Sequence, residues 1–75
     1  MNKELAKFIR NILGLTQEQF GKKLGYSKVY VTYVETGLRD VSRKYESKIK
    51  EVFDISTEDM IMYEAMLVKT NKMKG

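Results

Sequence analysis

The chain contains no cysteine, no histidine and no proline. Without cysteine there are no disulfides and no thiolate metal sites. Without histidine there is no common zinc ligand and no imidazole for acid/base chemistry. Neither a nucleophile–base pair nor a metal centre is expected, and 75 residues leave little room for a pocket. An enzyme is therefore not expected, nor any cofactor. The pair Glu58 and Asp59 is better read as charge at a helix N-terminus. Long hydrophobic runs are also missing, since none approaches the ~18 residues of a membrane span. The N-terminus, MNKELAKFIR, mixes acids and bases among its apolar residues, unlike a signal peptide. A soluble, cytoplasmic protein with no membrane partner is expected.

What is present points to helices. The absence of proline leaves helix formers uninterrupted, and the length suits one small domain spanning residues 1–75. Such a domain buries a modest share of its surface, so oligomerisation would help it. The charge is unevenly spread. Residues 1–50 carry eleven Lys/Arg against five Asp/Glu, residues 51–68 carry five acids and no base, and residues 69–75 carry three lysines. The chain reads as a basic module, an acidic segment and a basic tip. A basic face suits a polyanion.

Caps and periodicity predict five helices, an all-α fold. The first runs from about Lys3 to Leu13, with Asn2 as cap, Gly14 as stop and Leu5, Phe8, Ile9 and Ile12 as its apolar face. The second opens on the capping box Thr16-x-x-Gln19, points Phe20 and Leu24 inward, and stops at Gly25. The third lies between Ser27 and Gly37, with Val31 and Val34 inward and Tyr26 packed into the core just ahead of it. Its β-branched residues would tolerate a strand; the bracketing Ser27 and Gly37 favour a helix. Residues 37–42 form a loop. Ser42 or Asp40 caps the fourth helix, whose apolar face is Tyr45, Ile49, Val52 and Phe53. Ser56 caps the fifth, over 57–70, with Asp59 at its third position and apolar residues on nearly every side; 71–75 reads as a frayed tail.

Residues 17–36, QEQFGKKLGYSKVYVTYVET, stand out. They are two short helices about a tight turn. Gly21 sits where the helices touch and Gly25 where the first must stop. This is a helix-turn-helix layout, whose second helix can enter the DNA major groove. Excluding the inward valines, its outward set is Lys28, Val29, Thr32 and Tyr33, with Tyr30 nearby and Thr36 at the far end. Lys28 can donate to guanine O6 and N7, Val29 can pack on a thymine methyl, Thr32 can do either, and the Tyr33 hydroxyl can reach a base or a phosphate. Phosphate-contact candidates are Gln17, Ser27, Thr36, Arg39, Arg43 and Lys44, with the amides that open the second and fourth helices. Lys3, Lys7, Lys48 and Lys50 read as solvated charges.

Over roughly residues 5–61 the chain resembles the phage-repressor helix-turn-helix family, the Xre/Cro group, in a five-helix lambda-repressor-like domain. The resemblance rests on Leu15-Thr16-Gln17-Glu18, the Phe20/Gly21/Leu24/Gly25 pattern, Val31…Val34-Glu35-x-Gly37, and Phe53-Asp54-Ile55-Ser56. It implies that Gln17 holds a phosphate, that Lys28, Val29 and Tyr33 are base readers, and that Arg10 and Glu35 form a partly buried ion pair of structural value. Two departures stand out. Gly21 replaces the usual alanine, loosening the second helix by ~1 kcal/mol, and the apolar residues from Tyr45 onward are displaced by one.

The function this implies is a sequence-specific double-stranded-DNA-binding transcriptional regulator. The simplest form is a small Cro-like repressor of phage or prokaryotic type, binding a palindromic operator as a homodimer. Met60, Ile61, Tyr63, Met66 and Leu67 are the candidate dimer contacts; the alternative is that Met60, Tyr63 and Leu67 only close the monomer core. Two other readings use the same parts. One is an antitoxin-type regulator with a protein partner held by the acidic segment; the other is a restriction–modification controller-type activator.

Overall fold

The computed structural model describes the backbone of residues 1–74 and the side chains of residues 1–70. The described residues form five α-helices and no strand: α1 (Lys3–Ile12), α2 (Gln17–Leu24), α3 (Lys28–Thr36), α4 (Arg43–Val52) and α5 (Thr57–Lys74). None of these helices is long and apolar enough to cross a membrane. The expected loop at 37–42 is in place. α5 runs past the expected boundary at residue 70, through most of the stretch read as a frayed tail; Gly75 lies outside the described residues.

Each helix starts on a side-chain cap. Asn2 Oδ1 accepts from Leu5 N at 2.8 Å. Thr16 and Gln19 cap each other's backbone at 3.1 and 3.0 Å. Ser27 Oγ accepts from Tyr30 N and Ser42 Oγ from Tyr45 N, so Ser42 rather than Asp40 opens α4. Ser56 and Asp59 form a second reciprocal box at 3.0 and 3.2 Å. Each such cap contributes about 1 kcal/mol.

The ends are equally specific. α1 and α4 close with paired return bonds: Leu15 N to Arg10 O and Gly14 N to Asn11 O, then Ile55 N to Lys50 O and Asp54 N to Glu51 O. The left-handed residue closing α4 is Asp54, at φ 52°. α2 ends at Gly25, φ 85°, which reverses the chain so that Tyr26 N bonds Gly21 O at 2.8 Å. Gly21 has a different task. A Cβ there would lie 2.7 Å from the Tyr26 carbonyl oxygen and 3.1 Å from Val31 Cγ2. The missing methyl lets α2 seat directly against the turn and α3, so Gly21 is a packing requirement here and not merely a loosened helix.

Leu5, Ala6, Ile9, Phe20, Leu24, Val31, Val34, Tyr45, Ile49 and Ile55 form the buried core. Phe53 stacks on Phe20 with ring centroids 5.3 Å apart. Two expectations about the core are corrected, those for α1 and for Val52. In α1 the buried residues are Leu5, Ala6 and Ile9, while Phe8 is half-buried and Ile12 exposed. Arg10, one turn beyond Ala6 on that same edge, reaches Glu35 of α3. In α4, Val52 is exposed because the helix ends there and Phe53, the capping residue, drops onto Phe20 instead. Tyr26 is half-buried, stacked on Tyr30 at 4.7 Å and beside Tyr45 at 5.4 Å. α5 packs Met60, Tyr63 and Leu67 against the core. It leaves Ile61, Met62, Ala65, Met66 and Val68 exposed.

Candidate nucleic-acid interface

α3 is held from below by Val31 and Val34, both fully buried, and its opposite side faces solvent. At 100° per residue, Lys28, Val29, Thr32, Tyr33 and Thr36 fall on one contiguous outer strip. Val29 is 57% exposed and Tyr33 40%. Lys28 and Thr36 are exposed and Thr32 is half-buried. Tyr30 lies off the strip, turned toward Tyr26 and Tyr45.

Beneath the strip runs a polar network that joins three helices. Arg10 Nε donates to Glu35 Oε2 at 2.7 Å and Arg10 Nη2 to Glu35 Oε1 at 3.0 Å. Arg10 Nη1 also donates to the Leu15 carbonyl at 2.8 Å. The side chains are 11% and 3% exposed, so this is a two-pronged, largely desolvated pair. Gln17 Nε2 donates to Glu35 Oε1 at 3.1 Å, and Gln17 Oε1 lies 2.8 Å from the Thr32 hydroxyl. The carboxylate can only accept, which fixes the Gln17 amide: nitrogen toward Glu35, oxygen toward Thr32. The Thr32 hydroxyl also lies 3.0 Å from the Lys28 carbonyl, so its single proton is committed inside the protein.

The same accounting separates the other hydroxyls. Thr36 donates to the Thr32 and Tyr33 carbonyls of its own helix, at 2.9 and 3.3 Å. A phosphate oxygen needs a donor, and Thr36 must turn to supply one. Ser27 Oγ accepts from Tyr30 N and keeps its own proton for an outside acceptor. Arg39, Arg43 and Lys44 are exposed around the α3–α4 loop. The ion pairs among the described residues join Arg10 to Glu35 and the Met1 amino group to Glu46, and engage none of Lys28, Arg39, Arg43 or Lys44.

Two features of this region were not legible locally. Lys3 Nζ lies over Gly37, 3.0 Å from where a Cβ would stand, next to the loop that carries Arg39. It stays exposed, and only the fold brings α1 to that loop. Tyr45, fully buried under Tyr26 and Tyr30, has a hydroxyl with no hydrogen-bond partner among the described residues. Burial, and then the nearby Glu35 carboxylate, raise its pKa well above the ordinary tyrosine value, while Arg10 opposes the shift. Burial also raises Tyr26, with Tyr30 adding to it. Among the described residues no group of His, Cys, Asp or Glu is placed to hold a metal ion.

Comparison with known proteins places this geometry in a family. An uncharacterised HTH-type transcriptional regulator of Methanocaldococcus jannaschii is 39% identical over 62 residues, covering 83% of this chain and 94% of the relative. A second uncharacterised HTH-type transcriptional regulator, from Archaeoglobus fulgidus, is 31% identical over 51 residues, covering 68% of this chain and 73% of the relative. No solved structure matches the chain. The family model described as helix-turn-helix matches residues 7–60, spanning α1 to the start of α5, and the chain belongs to this Xre-type helix-turn-helix family.

Proposed function

We propose that the protein is a DNA-binding transcriptional regulator that reads double-stranded DNA through the major groove with α3. The observation that carries this reading is the outer strip of α3, which leaves Lys28, Val29 and Tyr33 exposed on a helix anchored from the other side by the buried Val31 and Val34. Both of the relatives described above are named as HTH-type transcriptional regulators. Lys28, Val29 and Tyr33 contact base edges. Gln17, Ser27, Arg39, Arg43 and Lys44 hold phosphates, and Lys3 lies close enough to Gly37 to join them. Thr36 contributes after its hydroxyl turns outward.

Binding as a homodimer to a palindrome, as a repressor, is the simplest form of this activity. α5 supplies support for the dimer. Glu58, Met62, Ala65 and Lys69 recur at helical spacing on its exposed side, flanked by Ile61 and Met66. Antiparallel pairing of two copies sets Glu58 against Lys69 and Met62 against Ala65. Charges oppose at the ends and a large residue meets a small one between them. Such an isologous contact doubles the DNA interface.

Binding of labelled duplex as a function of salt tests the phosphate contacts. Arg43→Ala should weaken binding to all sequences alike and lower the salt slope by about 1. An unchanged slope would remove Arg43 from the phosphate surface, and no binding at all at moderate salt would overturn the DNA-binding reading.

A further inference from the structure

The geometry points to Thr32 as a positioning residue that works through Gln17, rather than as a reader of bases; this inference rests on the DNA-binding reading above. Thr32 stands on the outer strip of α3, where a hydroxyl would ordinarily be offered to DNA. Its proton is instead committed between Gln17 Oε1, at 2.8 Å, and the Lys28 carbonyl, at 3.0 Å. Gln17 opens α2, whose first amides have no partner within the helix, Gln19 N being capped by Thr16. Its amide is gripped on both sides. Thr32 holds the oxygen, and Glu35 holds one nitrogen proton at 3.1 Å. Glu35 cannot move to follow, because Arg10 clamps it at 2.7 and 3.0 Å and is itself tied to the Leu15 carbonyl. One Nε2 proton is left over, and its direction is set by the other two bonds.

The chain of contacts therefore does two things. It aims one amide proton of Gln17 out of the start of α2, alongside the unpaired backbone donors there. It also locks that donor to α3, so a phosphate held by Gln17 sets where Lys28 and Tyr33 stand over the base edges. An amide left free to rotate would lose this alignment and an ordered donor with it. Thr32 supports affinity for every duplex alike, and carries no base preference of its own.

Thr32→Val keeps the shape and removes the hydroxyl; Thr32→Ser keeps the hydroxyl. Nuclear magnetic resonance of the Gln17 side-chain amide in the free protein gives the first readout. Thr32→Val should shift the two Hε2 signals together and speed their exchange, and Thr32→Ser should restore the wild-type pattern. Unmoved signals in Thr32→Val would overturn the proposal, whether or not the protein binds DNA. Duplex binding gives the second readout. Thr32→Val should lose about fivefold on every sequence, the size of one net hydrogen bond, with the ranking of sequences unchanged. In a Gln17→Ala background the same substitution should cost nothing further. A changed ranking, or losses that simply multiply in the double variant, would make Thr32 an independent contact and end the relay. Absence of binding by the wild-type protein would instead sink the DNA-binding reading on which the relay rests.

Discussion

Tyr45 is the residue most at odds with its surroundings. Its ring fills the core against Phe20, Tyr26 and Tyr30, and its hydroxyl is buried without a partner among the described residues. Such a group costs about 1–3 kcal/mol. Tyr45→Phe should therefore raise stability at neutral pH by about 1 kcal/mol, measured by urea denaturation. It should also change the alkaline limb. The folded pKa of Tyr45 lies above its ordinary value of 10.0, so its titration leaves stability unchanged below pH 10 and lowers it as pH rises from there toward the folded pKa, because the unfolded chain ionises first. The Phe variant should lose less stability above pH 10 than wild type; equal losses would contradict the assignment. Gly21 makes the opposite argument. Helix propensity favours alanine by ~1 kcal/mol, yet its methyl would meet the Tyr26 carbonyl oxygen at 2.7 Å. Gly21→Ala should destabilise by about 1–3 kcal/mol, since overpacking against backbone outweighs propensity. A more stable Ala variant would show that the turn yields freely. The sequence located both residues in or near the core. It was silent on a hydroxyl without a partner and on a carbonyl oxygen a methyl's width away, because neither fact is local.

The helices themselves were largely legible, because their signals are local. Asn2, Thr16, Ser27, Ser42 and Ser56 act as caps where serine, threonine or asparagine precede helical periodicity. The facing of α1 was not, since the period permits Phe8 and Ile12 to be inward. Which edge is covered depends on what packs against α1, and contacts such as Arg10 to Glu35 of α3 are long-range. Glu35 joins α1, α2 and α3 through Arg10 and Gln17. Glu35→Ala would strand a largely buried guanidinium and should cost about 3–5 kcal/mol, a large part of what so small a domain has. Replacing both partners, Arg10→Met with Glu35→Leu, should cost much less, because no uncompensated charge remains. Thermal unfolding of the two variants separates these outcomes; equal losses would mean that the pair acts through shape alone.

For the chain in its working state, the question is how one short helix gains enough interface to select a site. The exposed side of α5 carries Met62 and Ala65 between Glu58 and Lys69, the complement of itself when reversed. Sedimentation equilibrium should show a reversible dimer, and Met62→Asp should leave a folded monomer with weaker operator binding. A wild-type protein that stays monomeric at high concentration would leave α5 open to a different protein partner. The experiment that bears on the whole account is selection from a random duplex pool at ~150 mM salt, a concentration that suppresses non-specific binding. The wild-type protein should enrich a palindrome whose half-site centres lie about one DNA turn, ~34 Å, apart. A folded Lys28→Ala/Tyr33→Ala variant should enrich none. No enriched site for the wild type, or the same site recovered by the variant, would contradict the assignment of α3 as the reading surface.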